Sequence, residues 1–304
     1  MESCHSVGNG ILSFRRKRNH NMIPASFEYT RVTSVADAIE ALKHDPSAKI
    51  LAGGHSLIPA MKLRLSQPSK LIDISRIAEL NFIRDRGKYI AIGAATTHGT
   101  IAAHKTTVKK LPLLAATAAM IGDVQVRNMG TIGGSIAHAD PAADWPAVLL
   151  AAGATIVVEG PYGNKKIPAN EFFTGFFSTK LEEGEIITEV RVPEPTVGTY
   201  RQAYAKFVQP ASRFALVGCA IQFDEQNGVI SNARVAYNGV GEFAFRDKAV
   251  EAALNGQKWT AATIENAASK AGAGSFVMSD TFASESYRRH LTKVYTKRAL
   301  EACA

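Results

Sequence analysis

The chain has 304 residues, of which 46% are hydrophobic and 20% charged, and a formal net charge of +8. That is enough apolar mass for a sizeable core in two or three soluble domains; the longest apolar run, Trp145 to Val158, is broken by Pro146 and Gly153 and falls short of the ~20 residues a membrane span needs. Most of the positive excess lies at the two ends, in Arg15 to Arg18 and in Arg288, Arg289, Lys293, Lys297 and Arg298, without interleaved aromatics, so a nucleic-acid surface is set aside.

Residues 1–21 show neither hydrophobic period and read as a disordered leader, or as a start assigned ahead of Met22. Arg15-Arg16 is followed by no apolar stretch, so an export signal has no support. The first unit, 22–79, is predicted to be α/β. Thr33-Ser34 with Asp37 reads as a helix cap before the apolar stripe Val35, Ala38, Ile39 and Leu42, and the helix should end before Pro46. Lys49 to Ala52 and Lys70 to Ser75 read as buried strands. Between them stands Ala52-Gly53-Gly54-His55-Ser56-Leu57.

A second unit, 80–197, opens with the alternating strand Tyr89 to Gly93. Thr97 is placed to cap a helix over Gly99 to His104, and Pro112 suits the first turn of another through Met120, stopped by Gly122. Then comes Thr131-Ile132-Gly133-Gly134-Ser135. Asp140 with Pro141 predicts a helix start, running to Ala152 and closed by Gly153. Strands follow over Thr155 to Glu159 and Ile186 to Val192, before Pro193 and Pro195 mark a domain boundary. In the last unit, 198–304, strands are expected at Ala203 to Val208, Phe214 to Phe223 and Val229 to Tyr237, with a turn over Asp224 to Gly228. Helices are expected at Arg246 to Leu254, Thr260 to Lys270 and Tyr287 to Ala302.

The two Gly-Gly pairs carry the chemistry. Glycine takes positive φ without a Cβ penalty and lets a ligand approach backbone N–H groups that form an anion nest. Ser56, Thr131 and Ser135 add uncharged donors, and two such loops on one chain suggest a dinucleotide. Gly239-Val240-Gly241 and Gly272-Ala273-Gly274 lack the third glycine of a nucleotide-binding fingerprint, and there is no Gly-Lys-Ser/Thr phosphate loop. No serine elbow and no metal-spaced histidine pair is present. Cys4, Cys219 and Cys303 are odd in number and far apart, which suits neither disulfides nor an iron–sulfur cluster and fits a reducing, cytoplasmic setting. Cys219 lies in an apolar run and reads as a small buried hydrophobe.

From Met22 onward the chain resembles the FAD-binding medium subunits of the molybdenum hydroxylases, the xanthine dehydrogenase family, and most of all those of the carbon monoxide dehydrogenase type. The resemblance rests on Ala52 to Leu57, on Val126-Arg127-Asn128-Met129-Gly130-Thr131-Ile132-Gly133-Gly134, and on His138-Ala139-Asp140-Pro141. It implies an α+β chain: a two-subdomain FAD-binding fold of the vanillyl-alcohol oxidase type, then a C-terminal antiparallel sheet with helices. By resemblance, FAD lies between Ala52, Gly53, Gly54, His55, Ser56 and Leu57 on one side and Thr131, Ile132, Gly133, Gly134 and Ser135 on the other. Ile121, Asp144, Leu181, Tyr204 and Lys206 match further family positions around the cofactor, with Tyr204 packing on the flavin ring. Tyr204 and Lys206, two apart on a strand, leave one face, so an aromatic cover and a cation near the flavin are expected together.

Plainer readings stand beside these. The glycines can be tight turns, His55 and His138 supports for loops, and Asp140 a helix cap. Asp144 can be a first-turn carboxylate favoured by the helix dipole, and the basic C-terminal helix a solvated face. The resemblance further implies partners: a small subunit with [2Fe-2S] clusters, a large subunit with the molybdenum cofactor, and an external acceptor such as quinone or dioxygen. The chain would pass electrons outward while carbon monoxide, an aldehyde or an N-heterocycle is oxidised elsewhere, in the cytoplasm or at a membrane through the complex. A self-contained flavin oxidase or dehydrogenase, and a protein that only stores FAD, are the alternatives.

Overall fold

The computed structural model describes residues 23–195 and 199–303. The predicted leader, and the segment 196–198 at the expected domain boundary, lie outside the described residues. The chain forms a mixed helix-and-sheet structure organised on three principal sheets. First comes a parallel three-stranded sheet, with Lys70–Asp73 between Glu28–Arg31 and Lys49–Leu51. The helix Val35–His44 covers it, and the Ser34 side chain accepts from the Asp37 amide as the sequence predicts. Its buried Val35, Ala38 and Ile39 meet Ile72 and Ile74 in one core.

Second is an antiparallel five-stranded sheet in the order Ile83–Asp85, Tyr89–Gly93, Ile186–Pro193, Thr155–Gly160, Gly163–Pro168. Between Tyr89–Gly93 and Thr155–Gly160, the chain makes a long helical excursion that includes Pro112–Met120 and Asp144–Ala152. Every residue of Asp144–Ala152 is buried, which is why its sequence shows apolar residues all round after Asp144 and no amphipathic stripe.

Third is an antiparallel four-stranded sheet over Tyr200–Val208, Ala215–Gln226, Val229–Asn238 and Phe245–Arg246. Its faces alternate residue by residue. Val217, Cys219, Ile221 and Phe223 pack toward Lys248–Leu254, Ala261–Lys270 and Glu285–Ala302, while Ala220 and Ala236 join the core around Asp144–Ala152. That buried helix is thus enclosed between the second and third sheets and touches both.

Three local expectations are corrected. The helix predicted from Asp140 begins at Asp144 instead, because the Asp140 carboxylate accepts from the Ala142 amide at 2.9 Å and closes a turn. The hairpin after Phe223 is tighter than expected, since the strands run on to Gln226 and from Val229, leaving Asn227 and Gly228 at φ of 53° and 76°. Gly133-Gly134 is not a loop: Thr131 accepts from the Gly134 amide and starts the helix Ile132–His138, so the pair lies in its first turn.

Candidate cofactor site

The two glycine motifs, far apart in sequence, meet along a backbone seam. A Cβ on Gly53 would lie 2.0 Å from the Met129 carbonyl oxygen and 2.8 Å from Gly130 Cα, so only glycine permits this approach. Ala52 Cβ is the next neighbour of the Gly134 position, at 3.9 Å. The far side of the seam is pinned to the second sheet: the amides of His98, Ile132 and Gly133 donate to the carbonyls of Gly130, Thr96 and Ala94 at 2.9, 3.1 and 2.9 Å.

The halves of the seam differ in what they offer. At Gly53, Gly54, His55, Ser56 and Leu57, no backbone amide has a protein acceptor among the described residues. Gly54 turns the chain at φ +72°, and the Ser56 hydroxyl caps no amide although it heads the helix Leu57–Lys62. His55 is exposed and its Nδ1 lies 2.9 Å from the Gly53 carbonyl oxygen, which supports the loop. A run of unpaired donors around a left-handed glycine is the chemistry of an anion nest. Across the seam the amides of Ile132, Gly133, Gly134 and Ser135 are all engaged within the protein. That half offers close approach rather than donors: Gly134 is exposed and Ser135 half-buried, whereas Gly133 is packed 2.6 Å, by its absent Cβ, from Ala94.

The residues predicted from the C-terminal unit converge on Asp144. Lys206 Nζ donates to Asp144 Oδ2 at 2.8 Å and to the carbonyls of Met120 and Arg213 at 3.1 and 2.9 Å, and the Tyr204 hydroxyl donates to Asp144 Oδ1. The lysine and aspartate side chains are 1% and 5% exposed. Room for the tyrosine comes from Gly218 on the neighbouring strand, where a Cβ would sit 2.5 Å from its hydroxyl. Burial, together with the Asp144 charge, holds the Tyr204 phenol well above its usual pKa. Burial also pushes the Asp144 carboxyl up, against the pull of the Lys206 ammonium. Tyr204 and Lys206 do share one face, as predicted, but the cation is bound into a buried pair rather than left free. Asp144 is its acceptor and not a mere first-turn carboxylate.

Ile121 and Leu181 are half-buried against the central core, Ile121 at the end of Pro112–Met120 and Leu181 after the short strand Ser178–Thr179. Arg127, which the sequence reading quoted only as part of a motif, donates from Nη1 to the carbonyls of Ile121 and Gly122 at 3.0 and 2.9 Å and fixes that turn. Its side-chain role had no signal in spacing. His138 is half-buried against the Phe177 ring at 4.9 Å, and burial lowers its pKa. A cavity of about 790 Å³ opens beyond the Asp140–Ala142 turn, with Phe177, Phe214, Phe276 and Arg288 among its walls. Among the described residues there is no cluster of metal-ligating side chains, and no helix is long and apolar enough to cross a membrane.

A buried α+β core with a donor-rich glycine seam defines a nucleotide-cofactor protein, and comparison with known proteins gives its family. Residues 25–195 match the FAD binding domain in molybdopterin dehydrogenase, and residues 202–303 match the CO dehydrogenase flavoprotein C-terminal domain. The carbon monoxide dehydrogenase medium chain of Hydrogenophaga pseudoflava is 41% identical over 282 residues, 92% of this chain and 98% of that one. The glyceraldehyde dehydrogenase medium chain of Sulfolobus acidocaldarius is 37% identical over 283 residues, 93% of this chain and 100% of that one. A solved structure of carbon monoxide dehydrogenase from H. pseudoflava, lacking the Mo-pyranopterin moiety of the molybdenum cofactor, superposes with a TM-score of 0.90 at 42% identity, covering 93% of this chain and 98% of the other. The chain therefore belongs to the FAD-binding medium subunits of the molybdenum hydroxylases, and is an oxidoreductase subunit with an FAD-binding domain.

Proposed function

We propose that this chain is the electron-outlet subunit of a molybdenum hydroxylase. It would accept electrons from the iron–sulfur clusters of a small partner subunit and pass them to an external acceptor such as quinone or dioxygen. Substrate oxidation belongs to a large molybdenum subunit. The observation that carries this reading is the run of unpaired amides from Gly53 to Leu57, held against Met129–Gly130 by a glycine contact. In this reading those amides and the Ser56 hydroxyl hold the FAD pyrophosphate, and it approaches the opposite half, Thr131, Ile132, Gly133, Gly134 and Ser135, at exposed Gly134 and half-buried Ser135. Ile121, Leu181, Asp144, Tyr204 and Lys206 complete the surroundings of the cofactor. The residues present fit the group: unpaired backbone amides around a left-handed glycine form a nest for phosphate oxygens.

Bound FAD supplies a ring system able to exchange electrons singly or in pairs. The chain's own part is to bind and orient it and to keep water from the Asp144–Lys206 pair. No described cluster of cysteines or metal ligands provides a route inward, so the small and large subunits are required by the proposal. The unit boundaries at 79/80 and 197/198 and a cytoplasmic location belong to the same reading.

The test is expression of the chain alone and with the two subunits encoded beside it. Flavin absorbance without substrate oxidation is expected from the single chain, with turnover restored in the complex. A folded, flavin-free chain that refuses added FAD, or a single chain that oxidises substrate unaided, overturns it.

A further inference from the structure

We propose that His98 is a positioning residue for the cofactor site, a buried post that fixes the distance between Gly130 and Gly53 and is itself set by Trp145. The proposal rests on the FAD-binding reading above. His98 is 4% exposed and opens the short helix His98–Ala103. Its ring takes the place where a side chain at Gly130 would stand: a Cβ there would lie 2.8 Å from Nε2. Its amide grips the same residue, donating to the Gly130 carbonyl at 2.9 Å. Gly130 is thus held by ring and by backbone, and Gly53 rests on its other flank through Met129 and Gly130 Cα.

The ring cannot turn freely. Trp145 is fully buried and its Nε1–H donates to His98 Nδ1 at 3.1 Å. Indole nitrogen only donates, so Nδ1 must accept and the neutral ring carries its proton on Nε2. Protonation of Nδ1 would set two donors against each other in a buried place. Burial, with the nearby His55 and Arg127, keeps the ring neutral in keeping with this, lowering its pKa to about 4.

Trp145 follows Asp144 at the start of the same buried helix. One turn of chain therefore reaches the Tyr204–Lys206 cluster through Asp144 and the glycine seam through Trp145 and His98. The seam and the C-terminal sheet share a single anchor.

The experiment is FAD titration of the full chain, purified as it assembles in its host, for the wild type, His98→Phe and His98→Asn. Visible circular dichroism of the bound flavin and the thermal midpoint of the flavin-free protein are measured alongside. Asparagine retains an acceptor near Nδ1 and phenylalanine does not. Expected are an FAD Kd at least tenfold higher for His98→Phe with an altered flavin dichroism, and a Kd within threefold of wild type for His98→Asn. A core histidine with no positioning role would lower the midpoint while leaving Kd and dichroism unchanged; Kd within twofold of wild type in His98→Phe overturns the proposal, as does His98→Asn behaving like His98→Phe. Should His98→Phe fail to fold, Trp145→Phe removes the donor together with part of the buried ring, and its thermal midpoint registers that cavity separately: at least threefold weaker binding supports the proposal and an unchanged Kd overturns it. A wild-type chain that binds no FAD defeats the functional reading instead.

Discussion

Lys206 and Asp144 form a buried ion pair at 2.8 Å that ties the C-terminal sheet to the helix at the centre of the molecule. Every proton of the ammonium has an acceptor, in Asp144 and the carbonyls of Met120 and Arg213. Removing one partner of such a pair leaves the other charge without compensation, which costs about 3–5 kcal/mol. Lys206→Met should lower denaturant stability by that amount, more than alanine would at an exposed ion-pair lysine such as Lys43 or Lys180. Urea unfolding measures it, and a loss under about 1 kcal/mol would mean the pair is water-penetrated. Flavin midpoint potential in the same variant should shift if the pair borders the ring.

The glycines of the seam should separate stability from binding. Gly53→Ala drives a methyl group into the Met129 carbonyl and should weaken FAD binding by roughly tenfold to a hundredfold, the equivalent of about 1–3 kcal/mol of overpacking. Gly133→Ala meets the Ala94 backbone and should lower the melting temperature of the flavin-free protein. Gly134 is exposed, and a Cβ there comes close only to the capping Thr131 hydroxyl, at 2.9 Å, so its alanine variant should lose less melting temperature than Gly133→Ala while binding FAD less well. Equal effects from all three would contradict the division of roles.

Tyr237 is fully buried and Tyr204 half-buried, and both phenols are held well above the usual pKa, chiefly by desolvation. In an alkaline absorbance titration both should stay protonated near pH 11 and ionise only as the protein unfolds. Tyr204→Phe should remove one of the two silent tyrosines and cost about 1.5–3 kcal/mol, as for a hydrogen bond to a charged acceptor.

Acid should weaken the fold through His98. Its pKa is depressed in the folded state to about 4 from 6.5, so the unfolded chain binds the proton first. The stabilisation from the neutral ring is complete above pH 6.5 and fades as pH falls toward 4. The loss between pH 8 and pH 5 should be roughly 2 kcal/mol. Asp140 and Asp144, raised by desolvation, act with the opposite sign, so the comparison is made against His98→Asn, whose side chain does not titrate. Parallel wild-type and variant profiles would rule the effect out.

Local order was legible in advance wherever one residue type decides it. Ser34, Thr97, Pro112 and Gly153 begin or end helices where expected, because capping and φ preferences act within a few residues. Edge elements such as Glu28–Arg31 and Gly163–Pro168 escaped notice, since their mixed exposure leaves no clear alternation. The start of the helix at Asp144 was missed because Asp140 has two hydrogen-bonding options, capping or turn closure, and only the Ala142 amide's position chooses between them.

The sequence by itself pointed to a dinucleotide through two glycine pairs with neighbouring hydroxyls, because glycine's freedom and the scarcity of other phosphate motifs are properties of residue type. Only the tertiary structure decided what each pair packs against. Whether a glycine offers its amide to a ligand or gives up its side chain for close packing depends on which backbone lies against it, and for Gly53 and Gly133 those backbones are Met129 and Ala94, dozens of residues away. The same holds for Lys206: a cation two residues from a tyrosine was visible in the chain, but its partner is chosen by the packing of a sheet on a buried helix.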